Sequence, residues 1–176
     1  MNTDILKAKI SEKKGQGTWV ESGLPDLRLL DRNLRASPIE ELPAAGSLDA
    51  AADLVAKRLG FNAETIASLL VKTPIGDVMI RRSSIRHIVE KRLDARERYA
   101  DVAMDTLTGP LEVWRVGFTD NTFRLAFIGA YETRRQMLVS VALLEGRMLW
   151  NFMQCDAKSL NRHRHGELIY KRYTFL

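Results

Sequence analysis

The residues best suited to chemistry lie in a basic segment around one of the three histidines. His87 belongs to the stretch SSIRHIVEKRLDARERYADVAMDTLTGPLEVW, and seven lysines or arginines but only three acids lie between Arg81 and Arg98. Histidine titrates near neutral pH and serves as a general acid or base. Arginine stays charged, and its planar group binds two phosphate oxygens at once. The segment is therefore either a solvated basic helix or part of a site that handles phosphates.

These residue types suffice to cut RNA without a metal ion. A base removes the proton of the ribose 2′-hydroxyl, whose oxygen attacks the adjacent phosphate, and an acid protonates the leaving 5′-oxygen. Fixed cations stabilise the charge that develops on the phosphate. The chain carries such side chains in the basic segment and near its C-terminus: His87, Arg92, Arg96, Lys158, Arg162 and His163. The sequence alone does not show that the two groups meet.

Familiar motifs of other catalytic sites are missing from the sequence. It has no Walker loop and no Gly-x-Gly-x-x-Gly, His-Glu-x-x-His or Gly-x-Ser-x-Gly element. His163 and His165 do not have the helical spacing of metal ligands, and no carboxylate cluster accompanies them. The single Cys155 excludes an intramolecular disulfide and a cysteine-based zinc site. We therefore expect no metal ion and no cofactor.

The charge is unevenly distributed along the chain. Residues 1–80 hold ten basic and eleven acidic side chains, whereas residues 81–176 hold seventeen and eleven. A basic surface attracts polyanions, and its binding weakens as salt rises. We expect polyanion binding to be concentrated in residues 81–172 and to survive removal of residues 1–47.

Glycine and proline patterns divide the chain near residue 47. Residues 1–47 lack sustained periodicity, which predicts an N-terminal arm or linker, and residues 48–176 form the predicted domain. The domain is expected to begin with a helix that Ser47 caps and Gly60 ends, and a short helix follows from Asn62.

The segment that holds His87 is predicted to be a hairpin followed by two helices. The turn PIGD joins two short extended pieces. Ser83 or Ser84 is expected to cap the helix of His87, which points away from the apolar stripe of that helix. A second helix is predicted to start at Asp94, with Glu97 as its capping-box partner.

From Leu111 onward the apolar pattern has a period of two. EVWRVGF, TFRLAFIGAY, QMLVSVALLEG and RMLWNFMQC are typical of four strands in an antiparallel meander. Hairpin turns are predicted at Asp120–Asn121, Thr133–Arg135 and Glu145–Gly146. Asp156 is expected to cap a last helix, AKSLNRHRH, and ELIYKRYTFL to form an edge strand.

The order of these segments resembles a phage-associated nuclease family of the barnase, colicin and RelE-like superfamily, whose domains occur in phage head-morphogenesis proteins and polymorphic toxins. The resemblance covers about residues 71–173. It rests on the helix with His87, a basic residue shortly after it, and the Pro-aliphatic-acid step Pro110–Glu112 before the strands. The basic helix and the pair Ile169–Tyr170 in LNRHRHGELIY close the pattern.

The resemblance implies an α+β fold with helices packed on a four-stranded antiparallel β-meander. It implies a metal-independent ribonuclease toxin domain that cleaves RNA, with tRNA as one candidate, and leaves a 2′,3′-cyclic phosphate. The implied catalytic residues are His87, Arg92, Arg96 and Asn151. The candidate RNA contacts are Lys91, Arg124, Lys158, Arg162 and His163.

The family pattern is expected to have Thr or Ser at the place of Asn151, which has no hydroxyl. A second function therefore stays open: a catalytically inactive interaction or nucleic-acid-binding domain of a phage structural protein. The expected partners are RNA and either an immunity protein or a phage structural protein. The sequence contains no run of about 18 apolar residues, so no membrane span is predicted. The N-terminus lacks the apolar core of a signal peptide. The expected location is the cytoplasm of the producing or target bacterium, or a phage particle.

Structural explanations also stay open for the candidate residues. His87 is equally consistent with an ordinary surface histidine, and Arg96 with a partner of Tyr99 or Asp101. The others are consistent with solvated surface positions. Two tryptophans, Trp114 and Trp150, are expected in the core rather than in contact with bases.

Overall fold

The computed structural model describes residues 9–143 and 147–174, which form four α-helices and one sheet of seven strands. The helices are α1 (Leu48–Leu59), α2 (Arg82–Val89), α3 (Ala100–Thr108) and α4 (Ala157–Asn161). The strands are β1 (Ser68–Thr73), β2 (Gly76–Arg81), β3 (Glu112–Gly117), β4 (Phe123–Gly129), β5 (Gln136–Leu143), β6 (Arg147–Cys155) and β7 (Glu167–Lys171). Three short 3₁₀ helices span Leu27–Leu29, Arg32–Leu34 and Arg96–Tyr99.

The α+β class is confirmed, but the sheet is larger than the predicted four strands. Strands β3 to β6 are consecutive antiparallel neighbours, as predicted. The predicted hairpin β1–β2 joins the same sheet, because Met79 of β2 pairs in parallel with Met148 of β6. Strand β7 pairs with β3 at the other edge, so the order is β1-β2-β6-β5-β4-β3-β7. The parallel pair joins residues far apart in the chain, which a local pattern does not reveal.

The two faces of the sheet carry separate apolar cores. On one face, α1, α2 and α3 pack against side chains such as Phe127, Val139 and Phe152. On the other face, α4 and the N-terminal arm cover Trp114, Ile128 and their neighbours. The arm contributes three buried leucines to this second core, Leu24, Leu27 and Leu30. The division of the chain at residues 47 and 48 stays a prediction.

Two predicted helix boundaries agree with the structure. The Oγ of Ser47 accepts a hydrogen bond from the amide of Ala50 (3.1 Å), and α1 ends at Gly60, which has a φ of 109°. A positive φ favours glycine because it has no Cβ. Asp156 caps α4 by accepting from the amide of Ser159 (2.7 Å), although the helix ends at Asn161 and is shorter than predicted.

Other local predictions were wrong. Residues 62–67 form no helix, and α2 begins at Arg82 directly after β2, without a side-chain cap from a serine. The predicted helix from Asp94 is a 3₁₀ turn at Arg96–Tyr99 followed by α3, because Glu97 is buried and bound by an arginine instead of capping a helix. The predicted turn at Glu145–Gly146 lies outside the described residues.

Candidate active-site cleft

A cleft of about 230 Å³ opens on the sheet face that the arm and α4 cover only in part. Its floor comes from three adjacent strands, since Arg124 lies on β4, Ser140 on β5 and Asn151 on β6. Ser140 pairs directly with Asn151 and with Ala126. The lining residues are Glu12, Val116, Phe118, Arg124, Ala126, Leu138, Ser140, Trp150, Asn151, Phe152, Met153, His163 and His165.

Arg124 is the cation on the floor of the cleft. Its guanidinium lies over the rings of Phe118 (4.4 Å to the centroid) and Trp150 (4.9 Å). Within residues 9–143 and 147–174 it forms no ion pair. Aromatic faces hold an arginine in place without neutralising it. Arg124 therefore keeps its charge for an anionic ligand.

Arg96 and Asn151, two predicted site residues 55 positions apart, contact each other. The Nη1 of Arg96 donates to the Oδ1 of Asn151 at 2.7 Å, and its Nη2 lies 3.4 Å from Asp94. The 3₁₀ turn aims Arg96 at β6, and the preceding Ala95 has a φ of 43°. A left-handed conformation costs an L-residue roughly 1–2 kcal/mol. The local fold thus holds this arginine beside the cleft floor.

Trp150 connects the cleft to His87. It is the extra residue of a bulge in β6, between Leu149 and Asn151, and 38% of its surface is exposed. The rings of Trp150 and His87 lie 5.8 Å apart between centroids. The Nδ1 of His87 lies 2.9 Å from Glu90, and the histidine side chain is 54% exposed. The expectation that Trp150 is a core residue was wrong, whereas Trp114 is buried.

Two histidines of the C-terminal segment, His163 and His165, form one wall of the cleft. His163 lines the cleft and is half-buried. Burial lowers its pKa below the ordinary histidine value, although Glu12 opposes this shift. The Nε2 of His165 lies 2.6 Å from Glu12, and its Nδ1 lies 2.9 Å from the carbonyl oxygen of Arg162. Sequence reasoning missed the pair of His165 and Glu12, because no local pattern links residues 153 positions apart.

A buried network fixes the direction of this wall. Arg164, between the two histidines, is fully buried and binds Glu112 through two hydrogen bonds of 2.7 Å. Glu112 also accepts from the indole of Trp114 (2.9 Å) and the hydroxyl of Tyr173 (2.6 Å). Gly166 follows with a φ of 97°, and a Cβ there would collide with the backbone of β3. Because Arg164 is anchored in the core, its two neighbours are held at the surface.

A comparison with models of protein families shows which family the chain belongs to. The model described as phage-Barnase-EndoU-ColicinE5/D-RelE like nuclease2 (PBECR2) matches residues 56–171. The chain belongs to this nuclease family. Neither a curated protein nor a solved structure gives a significant match. The matched range contains Arg124, Asn151 and both wall histidines of the cleft, and Arg96 beside it, but not Glu12.

Six of the predicted site residues lie outside the cleft lining; of these, Arg96 contacts Asn151 and His87 contacts Trp150. Arg92 holds the buried Glu97 through two hydrogen bonds of 2.7 Å and donates to the carbonyl oxygen of Ala45 at 2.9 Å. It therefore ties the arm to the turn before α3. Lys91 and Lys158 are exposed. Arg162 is also exposed, beside the N-terminal arm.

The described residues contain neither a metal-ligand cluster nor a membrane-spanning helix. No group of three or more His, Cys, Asp or Glu side chains there could hold a metal ion. None of the described helices is long and apolar enough to cross a membrane.

Proposed function

We propose that this nuclease is an endoribonuclease toxin domain that cleaves RNA by attack of the 2′-hydroxyl and leaves a 2′,3′-cyclic phosphate. The observation that carries the proposal is Arg124, which forms no ion pair with any described residue and lies on the floor of a cleft that also contains the half-buried His163. Attack of the 2′-hydroxyl on the adjacent phosphate requires a base that takes the hydroxyl proton. It also requires a cation that is free to stabilise the charge developing on the phosphate.

Arg124 and Arg96 bind the scissile phosphate in this proposal. Arg96 is anchored by Asn151, and Arg124 is held between two aromatic rings. Preorganised cations stabilise the charge of the transition state without a further cost of reorganisation. Asn151 then acts through its contact with Arg96, so the missing hydroxyl does not by itself remove the phosphate site.

His163 is the proposed general base. Burial lowers its pKa, so the ring is neutral near neutral pH and accepts the proton of the 2′-hydroxyl. His87 is the proposed general acid, because its ring contacts Trp150, which lines the cleft. The two histidines thus supply the base and the acid that the reaction needs.

Trp150 is the proposed contact for a base of the RNA. Its ring is part exposed at the rim of the cleft, next to the arginine that binds the phosphate. Stacking of a base on an aromatic side chain stabilises binding by about 1–3 kcal/mol and tolerates any sequence. We therefore expect the protein to bind single-stranded RNA with weak sequence preference.

The test compares RNA and DNA oligonucleotides of the same sequence in the presence of EDTA. RNA is expected to be cut and DNA to stay intact, because DNA lacks the internal nucleophile. Arg124→Gln is expected to lower RNA cleavage strongly. The matched control is Arg115→Gln, which changes an exposed arginine on β3 that lies outside the cleft and pairs with Glu167. Cleavage of both nucleic acids, or equal loss in both variants, would contradict the proposal.

A wild-type protein that cuts neither nucleic acid would also contradict it. The alternative of an inactive binding domain would then be preferred if RNA binding persisted.

A further inference from the structure

The N-terminal arm lies outside the range that matches the nuclease family, yet it enters the cleft. The family model begins at residue 56, whereas Glu12 lines the cleft together with Arg124 and His163. The carboxylate of Glu12 is bound to the ring of His165 at 2.6 Å. A carboxylate repels the phosphates of RNA, which the cleft is proposed to bind. Glu12 is therefore expected to contribute something to the site that outweighs this repulsion.

Backbone hydrogen bonds hold Glu12 on both sides. Thr119 donates to the carbonyl oxygen of Ser11 (2.8 Å), and the amide of Lys13 donates to Gly117 (2.9 Å). These contacts attach the arm to the end of β3 and to the turn that follows. The position of Glu12 is therefore set by the sheet rather than by a loose chain.

The same arm also holds the segment of His165. The amide of Trp19 donates to the carbonyl oxygen of Arg164 at 3.0 Å, and the amide of Gly166 donates to Gly17 at 2.8 Å. His165 lies between these two contacts, and its side chain is only 17% exposed. Glu12 and His165 thus approach each other on two segments that the backbone already joins.

Both ring nitrogens of His165 face oxygen acceptors. Nδ1 faces the carbonyl oxygen of Arg162, which can only accept, so this nitrogen carries hydrogen. Nε2 faces the carboxylate of Glu12. With an ionised Glu12, both contacts are hydrogen bonds only when both nitrogens are protonated and the ring is a cation.

We propose that Glu12 is a positioning residue of the nuclease site, which holds His165 as a fixed imidazolium beside the phosphate position. The cation stabilises the charge that develops on the phosphate during 2′-hydroxyl attack. Its charge also opposes protonation of the neighbouring His163. The inference rests on the proposed function, and it makes the arm part of the active site.

The test is a double-mutant cycle on RNA cleavage with Glu12→Gln, His165→Asn and the double variant. Glu12→Gln is expected to lower kcat by roughly 10–100-fold, which is the effect of removing a carboxylate partner of a histidine in metal sites. KM is expected to change little, because the negative charge of Glu12 and the positive charge of His165 are lost from the cleft together. The double variant is expected to be no slower than the slower single variant, since both substitutions disrupt one unit.

The matched control is Glu40→Gln, which removes an exposed carboxylate of the same arm outside the stretch that bonds to β3 and to the segment of His165. It is expected to leave kcat unchanged. An unchanged or raised kcat in Glu12→Gln, or effects of the two single variants that multiply independently, would overturn the proposal.

A second readout does not depend on cleavage. Nitrogen-15 NMR of the histidine rings is expected to show hydrogen on both nitrogens of His165 at neutral pH, and loss of this state in Glu12→Gln. This result together with inactivity toward RNA would refute the proposed function and leave the pair of Glu12 and His165 standing. A singly protonated ring in the wild type would refute the positioning role itself.

Discussion

Substitution of Arg164 by methionine is expected to destabilise the protein strongly. Arg164 and Glu112 are both fully buried, and the guanidinium makes two hydrogen bonds of 2.7 Å to the carboxylate. It makes two more to the carbonyl oxygen of Pro25 (2.8 Å) and to Asn161 (3.0 Å). Removal of one partner of a buried ion pair costs about 3–5 kcal/mol, because the other charge is left without compensation.

The loss translates into a measurable change in melting temperature. A change of 1 kcal/mol shifts Tm by about 2–4 °C in a chain of this size, so Arg164→Met is expected to lower Tm by about 6–20 °C. Urea unfolding followed by tryptophan fluorescence gives the free energy directly, and calorimetry gives Tm. The matched control is Arg162→Met, an exposed position, for which we expect a change within about 0.5 kcal/mol. A loss below about 1 kcal/mol in Arg164→Met would refute the reasoning that a buried network fixes this wall.

Three further predictions concern catalysis, acid stability and binding. His87→Ala is expected to lower the rate of RNA cleavage by about 10²–10⁴-fold and to leave the melting temperature unchanged. Equal cleavage by the wild type and the variant would show that His87 is an ordinary surface histidine. The hydrogen bonds from Arg92 lower the pKa of Glu97 to about 2. The folded state is therefore stabilised above the ordinary pKa of about 4.5 and loses this stability as pH falls toward 2. Glu97→Gln is expected to make the free energy of unfolding depend less on pH between these two values. The same pH dependence in the variant would argue against the ion pair of Arg92 and Glu97. RNA binding should weaken with salt, with a log–log slope that falls by about 1 in Arg124→Gln, and an identical slope would exclude this phosphate contact.

The sequence predicted the meander because each strand carries its own pattern. Leu125 and Phe127 alternate with Arg124 and Ala126, and the structure buries the first pair in the core beneath the helices. Short turns then fix antiparallel neighbours. The pairing of β2 with β6 rests on one contact between distant residues, so no local pattern predicts it.

Local signals failed where tertiary contacts decided the structure. Asp94 and Glu97 have the spacing of a capping box, but Glu97 is buried and its carboxylate binds Arg92 and the amide of Ala45. A buried carboxylate with three such donors is more stable there than at a helix end. Arg92, a predicted catalytic partner, therefore has an observed contact that explains its presence without substrate.

The candidate site was predicted in its residue types more than in its geometry. Of the predicted residues, Arg124, Asn151 and His163 line the cleft, and Arg96 contacts Asn151. Their contact depends on the 3₁₀ turn after α2, which the sequence suggested as a helix. The role of Glu12 could not be found from the sequence, because the arm has no regular pattern. Its partner His165 lies 153 positions away, just before β7.

The most direct test of the account uses a DNA oligonucleotide that contains a single ribonucleotide. One cut is expected, in EDTA, directly after that ribonucleotide, and mass spectrometry of the 5′ fragment is expected to show a 2′,3′-cyclic phosphate. The same oligonucleotide with a 2′-methoxy group at that position should stay intact, because the nucleophile is blocked. Cutting of the methoxy oligonucleotide, or a 5′ fragment that ends in a free 3′-hydroxyl, would contradict attack by the 2′-hydroxyl.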